Sequence, residues 1–405
     1  MTDTIHQIEG ITTQGVTFPR GFRAAGVRAG ISTVEGKKDV ALVVNDGPVK
    51  HAAAVFTSNR FAAAPVLWSQ QVISDGRADA VLLNSGGANA CTGAPGFQDT
   101  HASAELVADL LGVSAGDVLV CSTGLIGERL PMDKLTAGAK DAAASLGVSS
   151  GSSLAAAEAI MTTDTVSKQA AIGVEIEEGG AYLIGGMAKG AGMLAPGLAT
   201  MLVVITTDAL VSPDNLDTAL REAVRLSFNR ADSDGCMSTN DTVILMSSGA
   251  SDIEPDLGVF TEALTKVCQD LALQLIGDAE GASHDIHVRT LGAASEADAE
   301  EVSRAVSRSN LFKTAIFGND PNWGRILSEV GTTSATFDPD RVNVTINGVQ
   351  VCTGGGIGED RSLVDLAAHR KVTVEIDLGA GQHEATIWTN DLTHDYVHEN
   401  SAYSS

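Results

Sequence analysis

The sequence predicts an α/β or α+β layered fold, and three observations lead there. The β-branched runs AVLLN (80–84), VLVCS (118–122) and MLVVITT (201–207) are continuously apolar, as strands buried on both faces are. Amphipathic helical stretches alternate with them. VNVTINGVQV sets Asn347-Gly348 between alternating residues, the pattern of a two-residue hairpin with a type I′ turn, so part of the sheet is antiparallel.

Taken in order, the first helix opens at Thr100 as N-cap and runs through Leu106 and Leu110 to Gly112 as its stop. YLIG before Gly186 is a further strand. A second helix has Ser212 before Pro213, its first helical residue, and carries Leu216, Leu220 and Val224 on one face. The third buries Leu264, Val267, Cys268, Leu271 and Leu275 and ends near Gly277. KVTVEIDLG and HEATIWT read as a second antiparallel pair. Neither a repeat nor a low-complexity tract interrupts the chain, and composition marks no domain boundary.

The 405 residues are 44% hydrophobic, enough for one large core or two fused ones. With only 16 aromatic side chains that core is built from small aliphatics. A formal charge of -25 excludes nucleic acid or an anionic membrane as the main partner and leaves a charged small molecule open. No apolar run reaches the roughly 18 residues of a spanning helix, and MTDTIHQIEG lacks the basic-then-apolar pattern of a secretion signal; a cytoplasmic protein is expected. Cys91, Cys121, Cys236, Cys268 and Cys352 form no CxxC pair and are expected as buried reduced thiols.

Glycine-rich loops NSGGANACTG (84–93), STGLIG (122–127) and GGMAKGAG (185–192) follow apolar strands and offer backbone N–H groups to an anion. None has a dinucleotide or P-loop pattern. His394/His398 and His284/His287 are spaced as metal ligands but lack a third ligand, so no metal and no cofactor are expected. Asp232, Asp234 and Asp241 read as turns around Gly235 rather than a calcium loop. NDPNWGR from Asn319 reads as a turn offering Arg325 to a carboxylate.

The most informative stretch is KGAGMLAPGLATMLVVITT (189–207), where a Gly/Pro loop runs into Thr200 and then a buried strand. A threonine hydroxyl is a poor nucleophile unless a base takes its proton, and one such base is the residue's own α-amine. That amine must first be freed. Attack of Thr200 Oγ1 on the Ala199 carbonyl gives an ester that water cleaves, leaving Thr200 as a new N-terminus. Its amine, with an ordinary pKa of about 7.7–8.0, is partly neutral at physiological pH.

These residues carry a resemblance to the glutamate N-acetyltransferase family, also called ornithine acetyltransferases. It rests on FTSNRFAAAPV, NSGGANACTG, STGLIGERLP, MTTDT, KGAGMLAPGLATML, SFNRADSDGCMSTNDT, KTAIFGNDPNWGRI and the terminal ENSAYSS, in one order over nearly the whole chain. The resemblance implies a four-layer αββα sandwich like that of N-terminal-nucleophile acyltransferases. It also implies self-cleavage between Ala199 and Thr200 into an α chain (1–199) and a β chain (200–405), intertwined in one catalytic unit, and a heterotetramer of two of each. The acetyl group would pass from N2-acetyl-L-ornithine to L-glutamate, in arginine biosynthesis, through an acetyl-Thr200 ester. Thr123 and Gly124 match the family's oxyanion pair, and Thr162 (taken over Thr163), Lys189, Thr200, Glu280, Asn400 and Ser405 its substrate contacts. Lys189 would face an α-carboxylate and Glu280 the ornithine ammonium. Bifunctional members also take acetyl from acetyl-CoA, which the sequence leaves open. Two departures stand out: Gly87 where Asn is usual, and Cys236-Met237 where Asp-Thr is usual. Two competing readings are a self-processing amidase or aminopeptidase with the same nucleophile, and a non-enzymatic anion-binding protein whose chain stays intact.

Overall fold

The computed structural model describes residues 6–176, 179–193 and 201–402. Residues 194–200, with Ala199 and Thr200, and the terminal Ser405 therefore lie outside the described residues. Two compact units are present. The first takes in the described residues of Met1–Ala191, Gly197–Asn229 and Met237–Leu275, the second those of Gly192–Pro196, Arg230–Cys236 and Ile276–Ser405.

In the first unit, one six-stranded sheet runs in the order His6–Ile8, Lys168–Ile176, Ala181–Lys189, Leu202–Thr207, Thr242–Ser247, His51–Phe56. The chain on either side of residues 199 and 200 thus shares one sheet, with Lys189 opposite Leu202. A four-stranded sheet, Phe22–Val27, Val40–Asn45, Ala80–Asn84 and Val118–Ser122, lies against it. Period-two alternation sorts its residues. Ala41, Val43, Val81, Leu83, Leu119 and Cys121 face the other sheet, where they meet Met187, Val204, Ile244 and Met246. Val40, Leu42, Leu82, Val118 and Val120 point the opposite way, onto helices Gly93–Leu111 and Met132–Ala144. On the outer face of the six-stranded sheet lie helices Pro213–Arg225 and Leu257–Gly277, the latter setting Leu271 against Gly186. Helix, sheet, sheet, helix are the four layers expected. No described helix is long and apolar enough to cross a membrane.

The second unit has its own six-stranded sheet, in the order Gly356–Ile357, Val349–Thr353, Asn343–Ile346, Lys371–Asp377, Asp285–Ala293, His383–Asn390. Helices Glu296–Arg308, Asn310–Phe317 and Trp323–Val330 share its core through Val302, Phe312 and Ile326.

Most elements fall where the sequence places them. Ser212 caps Pro213–Arg225 by accepting from Asn215 N, and Asn347 and Gly348 have the φ of 47° and 85° that a type I′ turn needs. Five expectations are corrected. The first helix starts at Gly93, not near Thr100, because Pro95 sits in the first turn, where its missing N–H costs nothing. Thr100 lies inside that helix and bonds back to Gly96 O. Lys371–Asp377 and His383–Asn390 are not hydrogen-bonded partners: Asp285–Ala293 lies between them, parallel to one and antiparallel to the other. Their connection straddles the end of that strand, with Ala380 and Gly381 N–H both donating to Gly292 O; a Cβ at Gly381 would lie 2.3 Å from Ala293 O. GGMAK (185–189) is strand, not loop. Cys91 and Cys236 are exposed, whereas Cys121, Cys268 and Cys352 are buried thiols. Arg325 donates to Leu311 O rather than to a carboxylate.

Candidate active site

Several strands of the first unit end at one place. Lys189, Leu202 and Thr242 occupy one rung of the six-stranded sheet, so Met201 and Asp241 lie just beyond it. The loops after Asn84 and Ser122, the ends of the parallel pair of the other sheet, are joined by Gly87 N–H donating to Thr123 O and Thr123 N–H donating to Asn84 O. Asn240 Nδ2 ties both loops from below through Ala88 O (2.6 Å) and Ser122 O (2.8 Å), and Ser122 Oγ donates to Asn84 Oδ1 (2.7 Å). These buried side chains tie the two loop backbones to each other.

The residues singled out in the sequence meet here in part. Lys189 is almost fully buried at the last position of its strand, and its Nζ donates to Thr162 Oγ1 (2.7 Å) and Thr123 Oγ1 (3.2 Å). A hydroxyl that accepts from an ammonium keeps its own proton to donate. Thr123 therefore presents an O–H, while its backbone N–H is already engaged with Asn84. The Gly124 N–H makes no hydrogen bond among the described residues. Gly124 has φ +135°, and a Cβ there would lie 2.4 Å from Gly87 N, so only glycine fits. The pair expected as an oxyanion hole thus offers one side-chain O–H and one backbone N–H.

Asp164, which the sequence reading did not single out, organises this corner. Its Oδ1 accepts from Lys168 Nζ (2.6 Å) and Gly190 N–H (2.7 Å), and its Oδ2 from Thr162 N–H (2.9 Å). The side chains of Lys168 and Asp164 are both fully buried. Burial alone would push this carboxyl up; the ammonium groups of Lys189 and Lys168 and these hydrogen bonds outweigh it and hold Asp164 well below the usual carboxylate range. Asp164 stands inside MTTDT, two residues from Thr162, the threonine taken as a contact.

Glu280 and Asn400 come together in the second unit, Asn400 Nδ2 donating to Glu280 Oε2 (2.9 Å). Asn400 belongs to helix His394–Ala402, which is docked rather than frayed: Thr393 Oγ1 donates to Gly281 O and accepts from Tyr396 N–H. Gly192 packs closely on the Glu280 carboxylate. Of the three acids read as turns around Gly235, Asp232 and Asp234 form one, accepting from Gly235 N–H and Cys236 N–H, with Asp232 also paired to Arg304 and Arg308; Asp241 does not, being buried at the strand start, where it accepts from Met201 N–H. The histidines have protein neighbours: His284 Nδ1 lies 2.8 Å from Asp391 Oδ2, His287 against Trp388 and His394 against Phe317.

Comparison with known proteins fits this arrangement to a family. The model of the ArgJ family matches residues 23–405. The chain belongs to that family. The arginine biosynthesis bifunctional protein ArgJ of Streptomyces coelicolor is 61% identical over 390 residues, covering 96% of this chain and 100% of that protein. The protein of the same name from Mycobacterium tuberculosis is 53% identical over 412 residues, 100% of both chains. A crystal structure of ornithine acetyltransferase complexed with ornithine, from Mycobacterium tuberculosis, is 52% identical and covers 49% of this chain and 100% of that chain, with a TM-score of 0.44.

Proposed function

We propose that this family member moves the acetyl group of N2-acetyl-L-ornithine to L-glutamate through an ester on Thr200. The observation that carries the reading is the buried Lys189 ammonium, which aligns two threonine hydroxyls beside Gly124 at the strand end that Met201 borders.

Scission of Ala199–Thr200 gives chains 1–199 and 200–405 and frees the amine of Thr200. The amine takes the Oγ1 proton as Oγ1 attacks the acetyl carbon. Negative charge gathers on the acetyl oxygen, where the Thr123 O–H and Gly124 N–H stabilise it, a contribution of about 3–4 kcal/mol per donor in comparable sites. The C–N bond breaks, the amine of Thr200 returns its proton to the departing nitrogen, and ornithine leaves. Glutamate reverses the sequence: its amine attacks the ester, the C–O bond breaks, and Thr200 Oγ1 recovers a proton. Both substrates carry an α-carboxylate, which Lys189 and Thr162 receive. Glu280 takes the ornithine ammonium, with Asn400 and Ser405 closing on the same ligand. Acetyl-CoA as a second donor, a tetramer of two α and two β chains and a cytoplasmic location complete the proposal.

The test is product analysis. Purified protein supplied with N2-acetyl-L-ornithine should form N-acetyl-L-glutamate only when glutamate is present. Acetate released at the same rate with or without glutamate would instead identify an amidase.

A further inference from the structure

We propose that Lys313 selects the acetyl acceptor: its buried ammonium receives the side-chain carboxylate of glutamate, in a cavity that takes the ornithine ammonium in the other half of the reaction. This deepens the function proposed above and rests on Glu280 as the contact for the ornithine side chain. Lys313 opens KTAIFG and lies in helix Asn310–Phe317, almost fully buried. Its Nζ donates to Ser233 O and makes no other hydrogen bond or ion pair among the described residues. An ammonium carries more donors than one carbonyl can take, so N–H groups are left over inside the protein. A charge buried without a counter-ion is costly, and an arriving anion removes that cost.

Lys313 lines a cavity of about 70 Å³ in the second unit together with Asp234, Glu280 and Asn390. Asn390 Oδ1 is buried there without a partner, while Nδ2 of the same amide is fixed on Ile276 O (2.9 Å) and His284 O (3.3 Å). The lining thus holds unfilled donors and an unfilled acceptor, each of which a native structure normally satisfies. No single charged group fills both. The two amino acids of the reaction do so in turn, because ornithine ends its side chain in an ammonium and glutamate in a carboxylate at the same distance along the chain. One acetyl-carrying residue and one α-carboxylate contact bring both chain ends to the same place. There the ammonium donates to Glu280 and Asn390 Oδ1, whereas the carboxylate accepts from Lys313, without which Glu280 would only repel it. The nearby acids do not take the Lys313 donors. Asp232 pairs with Arg304 and Arg308, Asp391 with His284, and Asp234 accepts from the N–H groups of Met193 and Cys236. They act on Lys313 from a distance, supporting its charge against burial.

In a double-displacement reaction kcat/KM for each substrate reports its own half. Lys313→Met should lower kcat/KM for glutamate roughly a hundredfold, as loss of a buried charged contact does, and keep kcat/KM for N2-acetyl-L-ornithine within about threefold of wild type. Lys313→Arg, which keeps the charge, should recover part of the glutamate value. Wild type should prefer L-glutamate to L-glutamine and L-norvaline as acceptor, and the Met variant should lose that preference. An unchanged glutamate value in Lys313→Met, or equal losses in both halves, overturns the proposal. Should the Met variant not fold, the wild-type acceptors decide: L-norvaline acetylated as readily as L-glutamate overturns it too. If wild type itself forms no N-acetyl-L-glutamate from N2-acetyl-L-ornithine, the transfer reading has failed and not the role of Lys313 alone.

Discussion

Asp164 and Asp241 are both buried carboxyls of the first unit, one beside the strand end at Lys189 and one beside the strand start at Leu202, yet their surroundings drive them apart. Asp164 accepts from one buried ammonium and two backbone N–H groups and is held ionised. Asp241 has only uncharged groups in hydrogen-bond contact, Met201 N–H among them, and burial pushes it well above the usual carboxylate range. Burial is common to both. An ammonium in direct contact decides, and of the two only Asp164 has one, Lys168.

The sharpest way to break this contrast is to remove the ionised carboxylate. Asp164→Ala leaves Lys168 buried without its carboxylate and should cost about 3–5 kcal/mol of stability, measured by urea unfolding, and abolish transfer. Unchanged stability would mean that the pair is not the anchor. The next effect is catalytic: Thr123→Ala removes the O–H that Lys189 aligns and should lower kcat about a hundredfold, while Lys189→Met should act mainly by weakening binding of both carboxylate substrates.

The two carboxyls also predict opposite pH slopes. Asp164 has a depressed folded pKa, so the stability it adds is complete above the ordinary carboxylate value of about 4 and is lost as pH falls through and below it. The deficit of Asp164→Asn should therefore be largest near neutrality and shrink in acid. Asp241 has a raised folded pKa, so wild type loses stability as pH rises above about 4, where the unfolded chain ionises and the folded one does not. Asp241→Asn should accordingly gain on wild type as pH rises above about 4. Parallel slopes in the two variants would erase the distinction. The smallest effect belongs to the second unit, where the Asn400–Glu280 contact is exposed: Asn400→Ala should cost under about 1 kcal/mol of stability and be read instead in KM for ornithine derivatives.

Local chemistry made much of this legible in advance. Ser212-Pro213 announces a helix start and Asn347-Gly348 a hairpin because each acts within four residues. The continuous apolar runs of 80–84 and 118–122 are buried throughout, as strands covered on both faces must be. What escaped depends on distant partners. Asp285–Ala293 separates two strands that look like a hairpin, and it lies about a hundred residues from the turn between them. In the site, Thr123, Thr162 and Lys189 stand out in the sequence, but Asp164 does not and Asp241 reads as a turn acid. Their importance comes from burial against Lys168 and Met201, and no local pattern encodes it.

The proposed chemistry requires that Thr200 become a terminus and carry the acetyl group. Mass spectrometry of purified enzyme, denatured with and without prior exposure to N2-acetyl-L-ornithine, tests it most directly. Two nearly equal chains are expected, the second beginning at Thr200 and one acetyl group heavier after exposure, with that mass lost when glutamate is added. A fully active, single uncut chain, or an acetyl group trapped only on another residue, would contradict it.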